Sequence, residues 1–137
     1  MAGSFKDLVV WQKAIELALS VYRLTTEFPE AERFGLTNQM RRAAVSVSSN
    51  IAEGAGRATT GEFVQFLGIA RGSNFGIESQ FVIARGLGFG TSQNLDEAER
   101  LCGEVGRLLS LLIKSLREIG TPPQDKIFYL ATHLLST

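Results

Sequence analysis

The side chains best suited to chemistry gather in one stretch. From Arg41 to Arg57 the chain reads Arg-Arg-Ala-Ala-Val-Ser-Val-Ser-Ser-Asn-Ile-Ala-Glu-Gly-Ala-Gly-Arg. On a helix, Arg42, Ser46, Ser49 and Glu53 share one face with Asn50 beside them, and the small residues between them let another backbone come close. Three readings stand: a solvated face, a polar subunit interface through Ser46, Ser49, Asn50 and Glu53, or a ligand or nucleic-acid site. Arg41, Arg42, Arg57, Arg71 and Arg85 form a basic stripe if the second and third helices are neighbours, and the guanidinium fork suits phosphate. Ordinary pairing with Glu53, Glu62 and Glu78 is the competing account.

Catalytic chemistry finds little support. A di-iron bundle needs Glu-x-x-His pairs on two helices, whereas the single histidine, His133, has Leu130 three residues before it. The single cysteine has no thiol or imidazole cluster with zinc-ligand spacing around it. Cys102 shares a helical side with Leu101 and Val105, which predicts a buried, inert thiol. No serine sits in a G-x-S-x-G elbow or an S-x-x-K motif. Gly86-Leu87-Gly88-Phe89-Gly90 looks like a phosphate loop, but it follows a helical pattern and Thr91-Ser92 stand where a further glycine is required. A helix cap and turn fits better. These residues predict no enzyme activity, no metal and no cofactor.

The elements that must position the arginines come next. With 137 residues, 45% of them hydrophobic, the chain suits one compact domain. Its 14 basic and 14 acidic residues balance, which excludes a surface that is a nucleic-acid footprint throughout. A lone cysteine, no apolar run near the roughly 20 residues of a membrane span and no signal-type start predict a cytoplasmic protein without membrane contact.

Four segments carry helical periodicity and none carries sustained alternation. In the first, Leu8, Trp11, Ile15, Ala18 and Tyr22 form the expected seam, with Ser4 and Asp7 at the start and Phe28-Pro29 at the stop. Leu36, Met40, Ala44, Val47 and Ile51 mark the second, with Gly54 and Gly56 as its expected C-cap. The third opens on a Thr59–Glu62 capping box and runs through Phe63, Phe66, Ala70, Ile77, Phe81 and Ala84 toward Gly86, about 40 Å. Gly68, Gly72 and Gly76 inside it predict a close neighbouring helix, or else a break near Gly72–Gly76. The fourth, N-capped by Asn94, carries Ala98, Leu101, Val105, Leu108, Leu112 and Leu116, and Lys114 and Arg117 suit its C-terminal dipole.

The predicted fold is all-α: an antiparallel up-down-up-down four-helix bundle over residues 1–120. A short C-terminal extension, 121–137, carries Ile127, Leu130, Ala131 and Leu134 as a fifth short helix or a frayed end. Val9, Val10, Leu17, Val21 and Leu24 in the first helix, and Ile69, Phe75 and Val82 in the third, lie off the expected seams. That second apolar surface predicts a homo-oligomer.

A resemblance joins these segments. Phe5-Lys6-Asp7-Leu8-Val9-Val10-Trp11-Gln12-Lys13-Ala14, Phe28-Pro29, Phe34-Gly35-Leu36, Gln39-Met40-Arg41-Arg42-Ala43-Ala44-Val45-Ser46 and Ser49-Asn50-Ile51-Ala52-Glu53-Gly54 resemble the 23S rRNA-intervening-sequence proteins. Phe66-Leu67, Ala70, Gly72-Ser73, Glu78-Ser79-Gln80 and Ile83-Ala84 extend the match, which spans residues 5 to 119 in order. The resemblance implies a bacterial four-helix bundle assembled as a homopentameric barrel. That family is similar to the accessory variability protein of diversity-generating retroelements, which implies RNA or DNA, or a protein partner such as a reverse transcriptase. Two functions follow as expectations: a non-enzymatic accessory protein holding nucleic acid weakly through its arginines, or an adaptor that binds a protein partner without nucleic acid.

Overall fold

The computed structural model describes residues 3–119, so the extension at 121–137 and His133 lie outside the described residues. Four helices make the bundle: α1 (Val9–Thr26), α2 (Leu36–Ala55), α3 (Thr60–Leu87) and α4 (Ser92–Ile119). Each packs on the next in sequence, and α4 closes the square against α1. Among the described residues there is no strand.

Ser4 and Asp7 cap each other as expected. The Lys6 N–H donates to Ser4 Oγ and the Ser4 N–H to Asp7 Oδ2, but they close a 3-10 turn ahead of α1. The core stripe of α1 differs from the expected seam. Leu8 and Ala18 are buried, but Val10, Ala14, Leu17, Val21 and Leu24 fill the interior, while Trp11 and Ile15 are half-buried and Tyr22 is exposed. Both sets recur at spacings of three and four, so periodicity alone does not rank them. The inner set is the one whose smaller, aliphatic side chains mesh with α2 and α4.

The expected stripes of α2 and α4 are buried throughout. The glycines at the end of α2 act differently from a C-cap pair. The helix runs through Gly54, and Gly56 caps it in ordinary right-handed conformation at φ −85°. Gly54 instead admits α3: a Cβ there would lie 2.6 Å from the Phe66 Cβ. Thr59 caps α3 by accepting the Glu62 N–H at 3.1 Å. The helix is continuous from Thr60 to Leu87, so no break occurs at Gly72–Gly76. Among the described residues no helix lies against that glycine face either, because a Cβ on Gly68, Gly72 or Gly76 would meet nothing within 4 Å. The Gly86–Gly90 segment is the cap and turn expected. Gly88 is left-handed at φ 72° and the Phe89 N–H returns to the Ala84 carbonyl at 2.9 Å.

α4 begins at Ser92, ahead of the expected Asn94 cap. Thr91 takes that place, accepting the Asn94 N–H at 3.3 Å. The turn is held from the far end of α1. Glu27 Oε1 accepts the Thr91 N–H at 2.8 Å and Oε2 accepts the Asn94 side-chain amide at 2.8 Å. These donors, the Thr91 N–H foremost, hold the Glu27 carboxyl below its ordinary range.

Two outcomes follow from this packing. Gly54→Ala lowers unfolding free energy by about 1–3 kcal/mol through overpacking against Phe66. Gly103→Ala, on an α4 surface with nothing within 4 Å, gains up to about 1 kcal/mol of helix propensity instead, and urea unfolding separates the two. The Glu27 pKa is lowered by folding, so its contribution is complete above the unfolded value of about 4.3 and is lost as pH falls through the folded one. Glu27→Ala therefore lowers the melting temperature near neutral pH, and the gap to wild type closes in the acid range.

Candidate functional site

The five arginines leave the bundle in different directions. Arg41, half-buried on α2, donates through Nε to Thr25 Oγ1 at 2.8 Å, and its guanidinium stacks 4.6 Å from the Tyr22 ring. Arg42, one residue on, is exposed and reaches no carboxylate among the described residues. With Tyr22, Asn38, Val45 and Ser46 the two line a shallow groove of about 560 Å³ to which no carboxylate contributes. Arg57 pairs with Glu53 at 2.9 Å and lies 4.6 Å over Phe66. Arg85 is closed by Asp96 at 2.8 Å and by Glu99, whose carboxylate does most to raise its pKa.

Arg71 belongs to a third place. It lies over the Phe75 ring at 5.2 Å and lines an open cleft of about 310 Å³ between α3 and α4. Lys114 and Arg117 enter the same cleft beside Ser110 and Ile113, with Glu118 as the one carboxylate. α2 and α3 are neighbours, but no continuous stripe runs along their seam. Of the acids weighed against the arginines, Glu53 takes Arg57, Glu62 bonds Thr59, and Glu78 forms no ion pair among the described residues.

The polar set of α2 divides in the same way. Ser46 meets Ser73 of α3 at 3.0 Å, and the Asn50 amide donates to the Ser46 carbonyl at 2.8 Å and to its hydroxyl at 3.0 Å. Ser46 joins α2 to α3 inside the chain, and Asn50 holds it from one turn along α2. Ser49 and Glu53 face outward.

Cys102 is fully buried, and its thiol is pushed up to about 12, first by burial and then by the Glu78 and Glu99 charges. Asn74 donates to the Cys102 carbonyl at 3.0 Å, and Cys102 Sγ lies 3.4 Å from Asn74 Oδ1. A thiol so placed is protonated and shut away from substrates. Among the described residues no three of His, Cys, Asp or Glu gather as a metal site. No described helix is long and apolar enough to cross a membrane.

One feature escaped sequence reasoning. Lys114 and Arg117 suit the α4 dipole when read alone, and only the antiparallel α3–α4 pairing brings Arg71 to them. The outer face of α3 is the off-seam surface expected there: Ile69, Phe75, Val82, Ile83 and Leu87 stand exposed around Gly68, Gly72 and Gly76. The off-seam residues Ile69, Phe75 and Val82 signalled it. The charged residues of α3, Glu62, Arg71, Glu78 and Arg85, lie beside that face.

The comparisons bear on this geometry. A protein of unknown function from the S23 ribosomal protein family of Bacteroides thetaiotaomicron has a solved structure that matches at a TM-score of 0.69 and 23% identity. The match covers 77% of this chain and 99% of that one. At that identity the likeness speaks for the fold alone. No curated protein matches the sequence. The family model of the 23S rRNA-intervening sequence protein matches residues 6–111, the span holding the capped turn, the α2 polar stretch and all five arginines. The chain belongs to the 23S rRNA-intervening sequence protein family.

Proposed function

We propose that the chain is a non-enzymatic subunit of a cytoplasmic homo-oligomer, a pentameric ring, that holds RNA or DNA weakly and without sequence preference. The observation that carries the nucleic-acid reading is the α3–α4 cleft, where Arg71, Lys114 and Arg117 face a single carboxylate, Glu118. Elsewhere carboxylates close the guanidinium groups of Arg57, Arg85 and Arg100. Among the described residues these three cations form no ion pair, and such groups in an open cleft suit the phosphodiester backbone. One such cleft is feeble, and repetition around a ring turns feeble contacts into avidity. The outward apolar face of α3 supports assembly, and the buried, protonated Cys102 thiol fits both a reducing compartment and a protein without covalent chemistry.

The second reading is a protein adaptor that touches no nucleic acid. The neutralisation of Arg57 and Arg85 within the chain favours it, since it removes two of the five expected contacts.

Light scattering coupled to gel filtration, then fluorescence anisotropy with a labelled duplex and a labelled RNA hairpin, tests both parts. Wild type elutes as a pentamer and binds at low salt, with affinity falling steeply as salt rises because phosphate contacts release counterions. Lys114→Glu with Arg117→Glu keeps the oligomer mass, weakens binding and lowers the duplex salt slope by about 0.9 per phosphate contact removed. Arg57→Ala, which breaks a closed pair, leaves binding unchanged. An intact oligomer that binds neither probe at tens of micromolar leaves the adaptor reading in place.

A further inference from the structure

We infer that the α3–α4 cleft takes the terminal phosphate of a nucleic-acid strand, a phosphomonoester, rather than a length of backbone. The inference rests on the nucleic-acid reading above and names the part of the strand that is held. Three cations meet at one small concavity. Arg71 comes from α3, and Lys114 and Arg117 come from α4, where Ser110 precedes them on the same stripe at spacings of four and then three. The hollow they line is about 310 Å³, at the small end of the roughly 300–1,000 Å³ usual for sites that take small groups.

Charge decides which anion fits. Three cations against the Glu118 carboxylate leave a surplus of two positive charges, and among the described residues no ion pair closes any of the three. An internal phosphodiester brings a single negative charge. A phosphomonoester brings about 1.5 to 2 at pH 7, with three strong acceptor oxygens. Like charges gathered in one cleft repel, and a dianion relieves more of that repulsion than a monoanion. The donors suit the same group. Arg71 and Arg117 offer guanidinium forks from opposite helices, Lys114 a point charge and Ser110 a hydroxyl. Arg71 is already steadied, its guanidinium 5.2 Å over the Phe75 ring, so it loses less freedom on binding.

A backbone track is built differently. A duplex spreads its charge evenly, about one phosphate per 1.7 Å of axis, and a surface that follows it needs cations in a row. Arg107 stands seven residues before Lys114 on α4, about 10 Å along the axis, and does not line the cleft. Farther toward the start of α4 the carboxylates take over and close Arg85 and Arg100. The cations therefore mark a place for one group and not a path.

Fluorescence anisotropy at low salt tests this with short RNA and DNA strands of one sequence, ending in a 5′-hydroxyl, a 5′-phosphate or a 3′-phosphate and labelled at the opposite end. A terminal phosphate is expected to tighten binding about tenfold over the hydroxyl end, as charge-assisted hydrogen bonds do, and the two phosphate arms read which end enters. Inorganic phosphate and a nucleoside monophosphate, added as competitors, are expected to displace the strand only far above its own concentration. Displacement at equal concentration assigns the cleft to free phosphate and overturns the strand-end reading. Arg71→Gln and Arg117→Gln, both at exposed positions, are expected to abolish the preference, with fold and mass checked by circular dichroism and light scattering. Lys114→Gln stands in if either variant fails that check. Arg107→Glu, outside the cleft, leaves the preference intact, whereas a backbone track would enlist it. Equal affinity for phosphate and hydroxyl ends, or a preference that outlasts the glutamine variants, overturns the inference. The broader reading then stands on the loss of duplex and hairpin binding in Lys114→Glu with Arg117→Glu. A wild type that binds no strand, duplex or hairpin removes the nucleic-acid reading and this inference with it.

Discussion

α3 carries apolar side chains on two opposite sides, and a square of four helices has room for one. Everything else in the molecule adjusts to that constraint. The inner side, Phe63, Leu67, Ala70, Ile77 and Phe81, is drawn into the core against α2 and α4. Gly54 sets how closely α2 approaches, since its missing side chain makes space for Phe66. The contact is reinforced by Ser46 and Ser73, whose hydroxyls bond each other across it. Among the described residues nothing covers the outer side of α3.

The sequence revealed this plan unevenly. α2 and α4 were legible because polar residues occupy most of their remaining positions, so one stripe stands out against the rest. α1 was misread by part of a turn. Trp11, Ile15 and Tyr22 recur at the same helical spacings as Val10, Leu17 and Val21, and the choice between the sets is made by neighbours that a local pattern does not contain. The arginines were recognisable as a group, but their fates were not. Arg85 is closed by acids 11 and 14 residues away, across a turn whose geometry decides whether they meet. The tie from Glu27 to Thr91 spans 64 residues and leaves no trace in any window of the sequence. Gly54 was visible as an unusual residue, but the side chain it makes room for lies on another helix.

A formal charge of zero conceals a sorted surface. The first turns of α4 gather Asp96, Glu97 and Glu99, which hold Arg85 and Arg100; the Arg100 contact keeps Glu97 ionised below the usual carboxylate range. The last turns hold Lys114 and Arg117 opposite Arg71. Of these charges only Arg117, in the last turn, stands where the helix dipole acts. The acids answer instead to their arginines, which leaves the cationic cleft at the other end of the helix.

The pairing of Asn74 with Cys102 sits where α3 and α4 would otherwise be free to slide. An apolar seam of similar side chains is nearly indifferent to a shift of one helical turn, about 5.4 Å. A buried amide is not, because a displaced Asn74 loses the Cys102 carbonyl and costs about 1–3 kcal/mol as an unpaired group. Gly106 narrows the choice further, since a Cβ there would come within 3.1 Å of the Asn74 amide nitrogen. The pair works as a detent: it gives the two longest helices a single stop along their common axis. Arg71 therefore finds Lys114 and Arg117 at the same height in every folded copy.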